Sequence, residues 1–276
     1  MGRLSLTAMV LLACTESPPP AAGELRAVSY NIAGLPEGIS GSQPATFIPL
    51  ISGKLNPYDL VLVQEDFAYH DALLLDIEHP HVSAPKQASS RFYGDGLTRL
   101  SRSPFRDHQR VQWDLCHGGL TGASDCLAEK GFSAAWHRLD GDIELLVINH
   151  HAEAVGGAED EAARADNFDQ LARFLETVAP GKALLIAGDN NLHGFAEPDE
   201  TVLTSFLTRL QLEDACRHLR CGDEHIDRFF FRSGADIHLE VSQWGVAEGF
   251  TSADGSDLSD HPPIEVMLKW SAQRGL

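Results

Sequence analysis

Basic residues are scarce in this chain. It carries 40 Asp and Glu against 21 Lys and Arg, a formal net charge of −19 over 276 residues. The broad basic footprint that binds nucleic acid through its phosphates is therefore missing. Phosphate chemistry is not excluded, because a metal ion supplies positive charge locally. The plain consequence of the acidity is solubility. Internal repeats are absent, and the one low-complexity stretch is short. No segment beyond the first 14 residues is long and apolar enough to span a bilayer. Cysteine is sparse, at five residues. What is plentiful is apolar side chain: a hydrophobic content of 43% supports one large domain or two small ones. No linker divides the chain after Gly23, so one domain is expected over residues 25–272.

The first residues read as an address. Met1-Gly2-Arg3 is a short positive region, and Leu4 to Ala13 is an apolar run too short to cross a membrane. The run ends in Leu11-Leu12-Ala13-Cys14, which resembles the lipobox of bacterial lipoproteins, with Cys14 as the lipidated residue. Residues 1–14 are thus expected to be a signal peptide and residues 15–24, with Pro18-Pro19-Pro20, a tether. Export follows, either to a lipid-anchored place in the outer membrane or periplasm, or by plain secretion. The remaining cysteines are even in number, and proximity in an oxidising compartment favours Cys116–Cys126 and Cys216–Cys221. A zinc site is the weaker reading, since the spacings are not those of a zinc ribbon and His117 and His218 read as loop residues.

Strand-like runs alternate with loops and few helices. Strands are expected at Leu25–Ile32, Asp59–Gln64, Leu97–Ser101, Val111–Leu115, Phe132–Leu139, Ile143–Asn149, Ala183–Ala187, Ile226–Phe231, Asp236–Val241 and Ile264–Trp270. One helix is clear: Ala158–Val178 puts Phe168, Leu171, Leu175 and Val178 on one stripe, and Pro180-Gly181 stops it. Weaker helical patterns lie at Pro44–Gly53, Ala68–Ile77 and Thr201–Leu210. This predicts an α/β (α+β) protein with two mixed sheets packed face to face and flanked by helices.

The chemistry lies at the strand boundaries. They carry Ser29-Tyr30-Asn31, Gln64-Glu65-Asp66, Asn149-His150-His151, Gly188-Asp189-Asn190-Asn191, Asp227, and Ser259-Asp260-His261. These are carboxylates, amides and imidazoles, with hardly any Lys or Ser. Hard oxygen donors of this kind suit Mg²⁺ or Ca²⁺. Two separate histidines suit proton transfer near neutral pH. Blander readings exist for single members: Asn31 or Asn191 as turn residues, and Asp227 as a partner of Arg228 or Arg232. Trp136, Phe229, Phe230 and Phe231 read as core.

Six motifs in order, Ser-Tyr-Asn at 29–31, Val-Gln-Glu at 63–65, Asn-x-His at 149–151, Gly-Asp-x-Asn at 188–191, Ile-Asp-Arg-Phe at 226–229 and Ser-Asp-His-x-Pro at 259–263, resemble those of the endonuclease/exonuclease/phosphatase superfamily, the DNase I-like fold. The resemblance runs from Leu25 to Lys269. It implies a four-layer α/β sandwich, a divalent metal (Mg²⁺, or another such as Mn²⁺ or Ca²⁺), and hydrolysis of a phosphoester by water attacking in line. It implies Glu65 as the principal metal ligand, with Asn31 beside it and Asp260 completing the metal side. His261 becomes the general base, oriented by Asp227. His151 donates a hydrogen bond or proton toward the phosphoryl or leaving-group oxygen. Asp189 and Asn191 position the nucleophile and the phosphate. His150 is the bystander of its pair, since the motif places histidine second after Asn149.

Three further stretches are similar to the bacterial sphingomyelinase branch of that superfamily: Leu35-Pro36 after Asn31, Tyr93 to Phe105 with its Asp-Gly-Leu, and Ser124 to Phe132 with its Lys-Gly-Phe. They imply a phospholipid head group at a membrane surface as substrate and Lys130 as a contact to phosphate. An acidic chain without a basic groove fits that better than DNA. An aromatic hairpin for entering a membrane is missing; Trp244 and Phe250 are the nearest substitutes. A secreted nuclease and a non-catalytic surface lipoprotein are the alternative readings. A monomer is expected.

Overall fold

The computed structural model describes residues 21–119, 125–154, 156–194, 196–222 and 224–273. The signal peptide, the tether up to Pro20, and Ser124 lie outside the described residues. In chain order the elements are β1 (Ala22–Asn31), α1 (Pro44–Ser52), β2 (Leu60–Gln64), α2 (His70–Leu73), β3 (His81–Val82), β4 (Thr98–Ser101), β5 (Phe105–Gln112), β6 (Gly131–Asp140), β7 (Ile143–His151), α3 (Ala158–Val178), β8 (Leu184–Asp189), α4 (Asp199–Leu210), β9 (Glu213–Asp214), α5 (Ala215–Leu219), β10 (Asp227–Arg232), β11 (Ile237–Val246) and β12 (Ile264–Ala272).

The strands form two six-stranded sheets, ordered β11-β12-β1-β2-β4-β3 and β5-β6-β7-β8-β10-β9. Each has one parallel pair at its centre, β1 with β2 and β7 with β8, and antiparallel strands outside it. The side-chain period of two sorts the central strands into layers. Leu25, Ala27, Leu60 and Leu62 meet Leu145, Val147, Phe229 and Phe231 between the sheets. Phe230 and Ile148 face the other way, onto α3 and α4. Val28, Tyr30, Val61 and Val63 pack outward against α1 and the loops around it. The result is the four-layer sandwich of helices, sheet, sheet and helices, with Phe229, Phe230 and Phe231 in the core.

Helix α3 spans its expected residues, with Glu159, Asp160 and Glu161 in its first turn opposing the helix dipole. Phe168, Leu171 and Leu175 are buried, whereas Val178, at its exposed end, is not. Elsewhere the expectations shift. The strand β1 begins at Ala22, inside the stretch read as tether, where Ala22 pairs with Ser271. Helix α2 has one turn instead of the ten residues of 68–77, because Ser52 Oγ takes the Asp76 N–H and Asn56 Nδ2 takes the Asp76 carbonyl, which leaves no intrahelical bond for either. The strand expected at Val111–Leu115 is β5, starting at Phe105; its polar run Arg106 to Arg110 is an edge strand with a bulge, and Trp113 onward turns away. Both expected disulfides are present, with Cα–Cα separations of 5.5 Å for Cys116–Cys126 and 5.0 Å for Cys216–Cys221. Among the described residues no helix is long and apolar enough to cross a membrane.

Candidate active site

The topology collects the polar strand boundaries at one end of the sandwich. The parallel strands β1, β2, β7 and β8 deliver their C-terminal ends there. The antiparallel strands β10 and β12 begin there, with Asp227 paired to Asp189 and Ile264 to Ser29. Two glycines allow the close approach of backbones. A Cβ on Gly34 would lie 2.4 Å from the Glu65 carbonyl oxygen, which the Gly34 N–H instead bonds at 3.1 Å. A Cβ on Gly188, at φ +153°, would lie 1.9 Å from the His150 carbonyl oxygen. Glu65 and Asn191 both sit in the left-handed region, at φ +59° and +49°. Such strain in residues other than glycine is common at functional sites.

The side chains form a connected set. Asn31 Nδ2 donates to Glu65 Oε1 at 3.1 Å and to Asp189 Oδ2 at 3.0 Å, while its Oδ1 accepts the Ala33 N–H at 3.1 Å. His151 Nε2 lies 3.3 Å from Asp189 Oδ2 and 3.9 Å from Glu65 Oε1. The Asn191 N–H donates to Asp189 Oδ1 at 3.0 Å, and Asn191 Nδ2 donates to the Ala152 carbonyl at 3.2 Å. His261 Nδ1 is 2.8 Å from Asp227 Oδ2, and its Nε2 is 3.8 Å from Asp189 Oδ2. Asp227 does not serve its arginine neighbours: Arg228 pairs with Asp214 and Glu224, and Arg232 with backbone carbonyls. His150 points to the opposite face, onto Asn190 Oδ1 at 3.1 Å and the Phe168 ring, where burial lowers its pKa to about 4.

Electrostatics bind the set further. Burial alone would raise the Asp189 pKa, but the hydrogen bond from His151 and the charges of His151, His261 and Lys130 outweigh it and hold Asp189 below the usual carboxylate range. Lys130 is itself buried. Burial, then the charge of Asp189, pushes Asp227 up to about 6 against the pull of His261. Burial would lower the His261 pKa, but the bond to Asp227 and the charges of Asp227, Asp189 and Asp260 push it up to about 10.

Asp260 is exposed, and its Oδ1 accepts a bond from Ser259 Oγ at 3.4 Å. Along this turn Ser259 faces inward, its hydroxyl donating to the Asn31 carbonyl at 2.7 Å, so Asp260 faces outward.

No family model matches the chain. It is 30% identical over 273 residues to sphingomyelinases of Mycobacterium bovis and Mycobacterium tuberculosis, an alignment covering 91% of this chain and 54% of theirs. The chain therefore spans about half the length of these curated relatives. An endonuclease/exonuclease/phosphatase from Beutenbergia cavernae has the same fold, at a TM-score of 0.65 and 15% identity over 89% of this chain and 71% of that one. The chain has the DNase I-like fold of these proteins. A variant of beta toxin from Staphylococcus aureus, crystallised with bound magnesium ions, shares the fold at a TM-score of 0.67 and 19% identity, over 88% of this chain and 99% of that one.

The donor set fits a hard divalent cation. Glu65, Asp189, Asp227 and Asp260 put four carboxylates in or beside the cluster, and Asp227 Oδ1 is buried without a hydrogen-bond partner. Glu65 has the more open carboxylate, at 20% side-chain exposure against 2% for Asp189. Asp189, Asp227 and His261 also gather donor atoms within 4.8 Å of one another, but His261 Nδ1 is committed to Asp227. As placed, Asn31 presents its nitrogen to both carboxylates, and a ligand role through Oδ1 requires the amide to turn and release Ala33.

Several supporting residues carry no motif signal that marks their role. Gln64 Nε2 donates to Asn149 Oδ1 at 2.7 Å, and Asn149 Nδ2 donates to the Val63 and Thr98 carbonyls. These bonds clamp the two sheets together directly beneath the site. Trp113 Nε1 donates to the His151 carbonyl at 2.7 Å.

Proposed function

We propose that the chain is an exported, metal-dependent phosphodiesterase that hydrolyses a phospholipid head-group ester of the sphingomyelin kind. The observation that carries the reading is the Asp227–His261 pair set beside Asp189, His151, Asn31 and Glu65. The naming of the mycobacterial relatives as sphingomyelinases supports the substrate class. The two disulfides support export. Cys14 is then the lipid attachment point or part of a removed leader, and the chain acts as a monomer at a membrane surface.

In this reading Glu65 and Asn31 hold a divalent ion, Mg²⁺ in the first instance, and Asp260 is the outlying further ligand. When bound, the ion supplies positive charge against the non-bridging phosphoryl oxygens. His261 takes a proton from water at Nε2, while Asp227 holds Nδ1–H and stabilises the imidazolium that results. The water oxygen bonds to phosphorus as the bond to the leaving oxygen breaks on the opposite side. His151, held by Asp189, donates to the leaving or phosphoryl oxygen. Asp189 and Asn191 position the nucleophile, and Lys130 faces the phosphate. His261 must be neutral to act as base, and in the chain alone the surrounding carboxylates hold its proton. Offset of their charge is thus a condition for the base as well as for the phosphate.

The test is release of phosphocholine from sphingomyelin vesicles by the mature protein in Mg²⁺ and in chelator. Release that requires the metal supports the reading. Nicking of plasmid DNA without phosphocholine release would favour a secreted nuclease, and inactivity on every phosphoester would favour a binding protein.

A further inference from the structure

The space between the two sheets changes character at one edge. From β11 to β2 it is filled by apolar side chains. At β4 the inward residue is Arg99, which is fully buried and reaches across to β6 and β7. Its Nη2 donates to the Ser133 and Val147 carbonyls, each at 3.1 Å, and its Nη1 meets His137 Nε2 at 2.8 Å. An arginine only donates, so His137 accepts through Nε2 and passes its Nδ1–H to Ser101 Oγ at 3.2 Å. That hydroxyl donates to the Ser103 carbonyl at 2.8 Å. Every acceptor in this relay is neutral, and among the described residues no Asp or Glu pairs with Arg99.

A buried guanidinium without a counter-charge is unfavourable. Burial and the charge of Arg110 lower the Arg99 pKa to about 9, and burial with the charge of Arg99 holds His137 well below its ordinary range. Two nitrogens here, Arg99 Nε and His108 Nε2, are buried with no hydrogen-bond partner. His108 sits in a bulge: β5 shifts register between Arg106 and Gln109, with Asp107 at φ +52°. Bulges re-aim the side chains around them. The centroid of the Phe105 ring lies 5.9 Å from Arg99 Cζ, 5.8 Å from the His108 ring and 5.2 Å from the His137 ring. His81, opposite Ser101 on β3, adds another imidazole. The carboxylates at this edge are taken, Asp95 by Arg110 and both Asp107 and Glu144 by Arg106. Arg99, His81, His108 and His137 thus cluster without an acid, in a chain of net charge −19.

We propose that Arg99 Nε and His108 Nε2 bind a small monovalent anion, chloride in solution, between the sheets. One negative charge balances the guanidinium, whereas a divalent sulfate or phosphate would leave a buried charge of its own. His108 is half-buried on an edge strand, so the ion enters past its ring. Arg99 follows Thr98, whose hydroxyl holds Asp66 and whose carbonyl accepts from Asn149. The ion therefore steadies the strand beneath the candidate active site. None of its residues belongs to the phosphodiesterase set, and the inference stands without that reading.

The experiment is thermal unfolding of the mature protein in chelator at constant ionic strength, with chloride replacing gluconate, an anion too large to enter. The midpoint is expected to rise saturably, by about 5 °C between about 5 mM and about 0.5 M chloride. Gluconate is the more strongly excluded anion, so a general salt effect would run the other way. The His108→Leu variant is expected to need about tenfold more chloride for the same rise. Arg99→Met is expected to lose the dependence altogether, since an apolar replacement leaves no charge to balance. Should Arg99→Met fail to fold, His108→Leu and crystallography decide. Crystals grown in bromide should show an anomalous peak in contact with Arg99 Nε and His108 Nε2. A midpoint indifferent to chloride, an equal dependence in His108→Leu, or bromide confined to the surface would each overturn the anion site and leave water as its occupant.

Discussion

His261 holds Asp227 through Nδ1 at 2.8 Å and turns Nε2 toward Asp189 at 3.8 Å. One ring thus lies between two buried carboxylates, Asp227 and Asp189. Asp227 is 1% exposed and stays with His261 although two arginines follow it within five residues.

The Asp227→Asn variant should keep the shape of that pair and lose its charge. Turnover of a phosphodiester is expected to fall by about 10³ to 10⁴, the scale seen when a base loses its orienting carboxylate. Steady-state kcat with far-ultraviolet circular dichroism measures it. A fall below tenfold with an intact fold would show that His261 does not depend on Asp227.

The raised His261 pKa makes stability depend on pH. The unfolded value is about 6.5 and the folded value about 10, so the stabilisation is fully present below pH 6.5 and is lost as pH rises toward 10. Asp227 acts at the acid end: its folded pKa of about 6 lies above its unfolded value, so its ionisation costs stability as pH rises toward 6. Denaturant unfolding in chelator between pH 6 and 10 should show a decline that the His261→Gln variant lacks. An equal slope in both proteins contradicts the assignment.

Glu65→Gln removes the open carboxylate of the donor set. Metal affinity, read by calorimetry with Mg²⁺ or Mn²⁺, is expected to fall by at least about 100-fold, with activity falling in parallel. Chelation of the native protein should abolish activity reversibly. Retained affinity in Glu65→Gln would move the ion to Asp189, Asp227 and their neighbours.

At Gly34 the local backbone controls the site. The Gly34→Ala variant must move a Cβ out of a 2.4 Å contact with the Glu65 carbonyl. A cost of roughly 2–3 kcal/mol is expected, with a larger proportional loss of activity because Glu65 moves with its carbonyl. Thermal unfolding and kcat on one sample separate the two effects.

The sandwich was legible because strand alternation and the α3 stripe are local signals. The site was legible as residue types, because Asn31, Glu65, His151, Asp189, Asp227 and His261 each end or begin a strand that topology brings to one edge. Geometry was not. Adjacent residues in the Ser259-Asp260-His261 turn differ in their surroundings: Ser259 is buried on the Asn31 carbonyl, His261 holds Asp227, and Asp260 is exposed. Strand β5 was misplaced because a polar edge strand has no apolar period to read. Helix α2 was overextended because Ser52 and Asn56, distant in sequence, capture the backbone of Asp76. Of the proposed membrane contacts, Phe250 proves to be buried against Tyr30, and Trp244 is half-buried beside the His225 ring. The clamp of Gln64 on Asn149 is a contact between sheets, which no single stretch displays.

The most direct test of the central claim is hydrolysis of sphingomyelin in ¹⁸O-labelled water with Mg²⁺ present. Water activated by His261 and attacking phosphorus should yield phosphocholine carrying one ¹⁸O and unlabelled ceramide, with the product lost in chelator and in His261→Gln. Absence of phosphocholine in Mg²⁺, or label in the lipid alcohol, would contradict it.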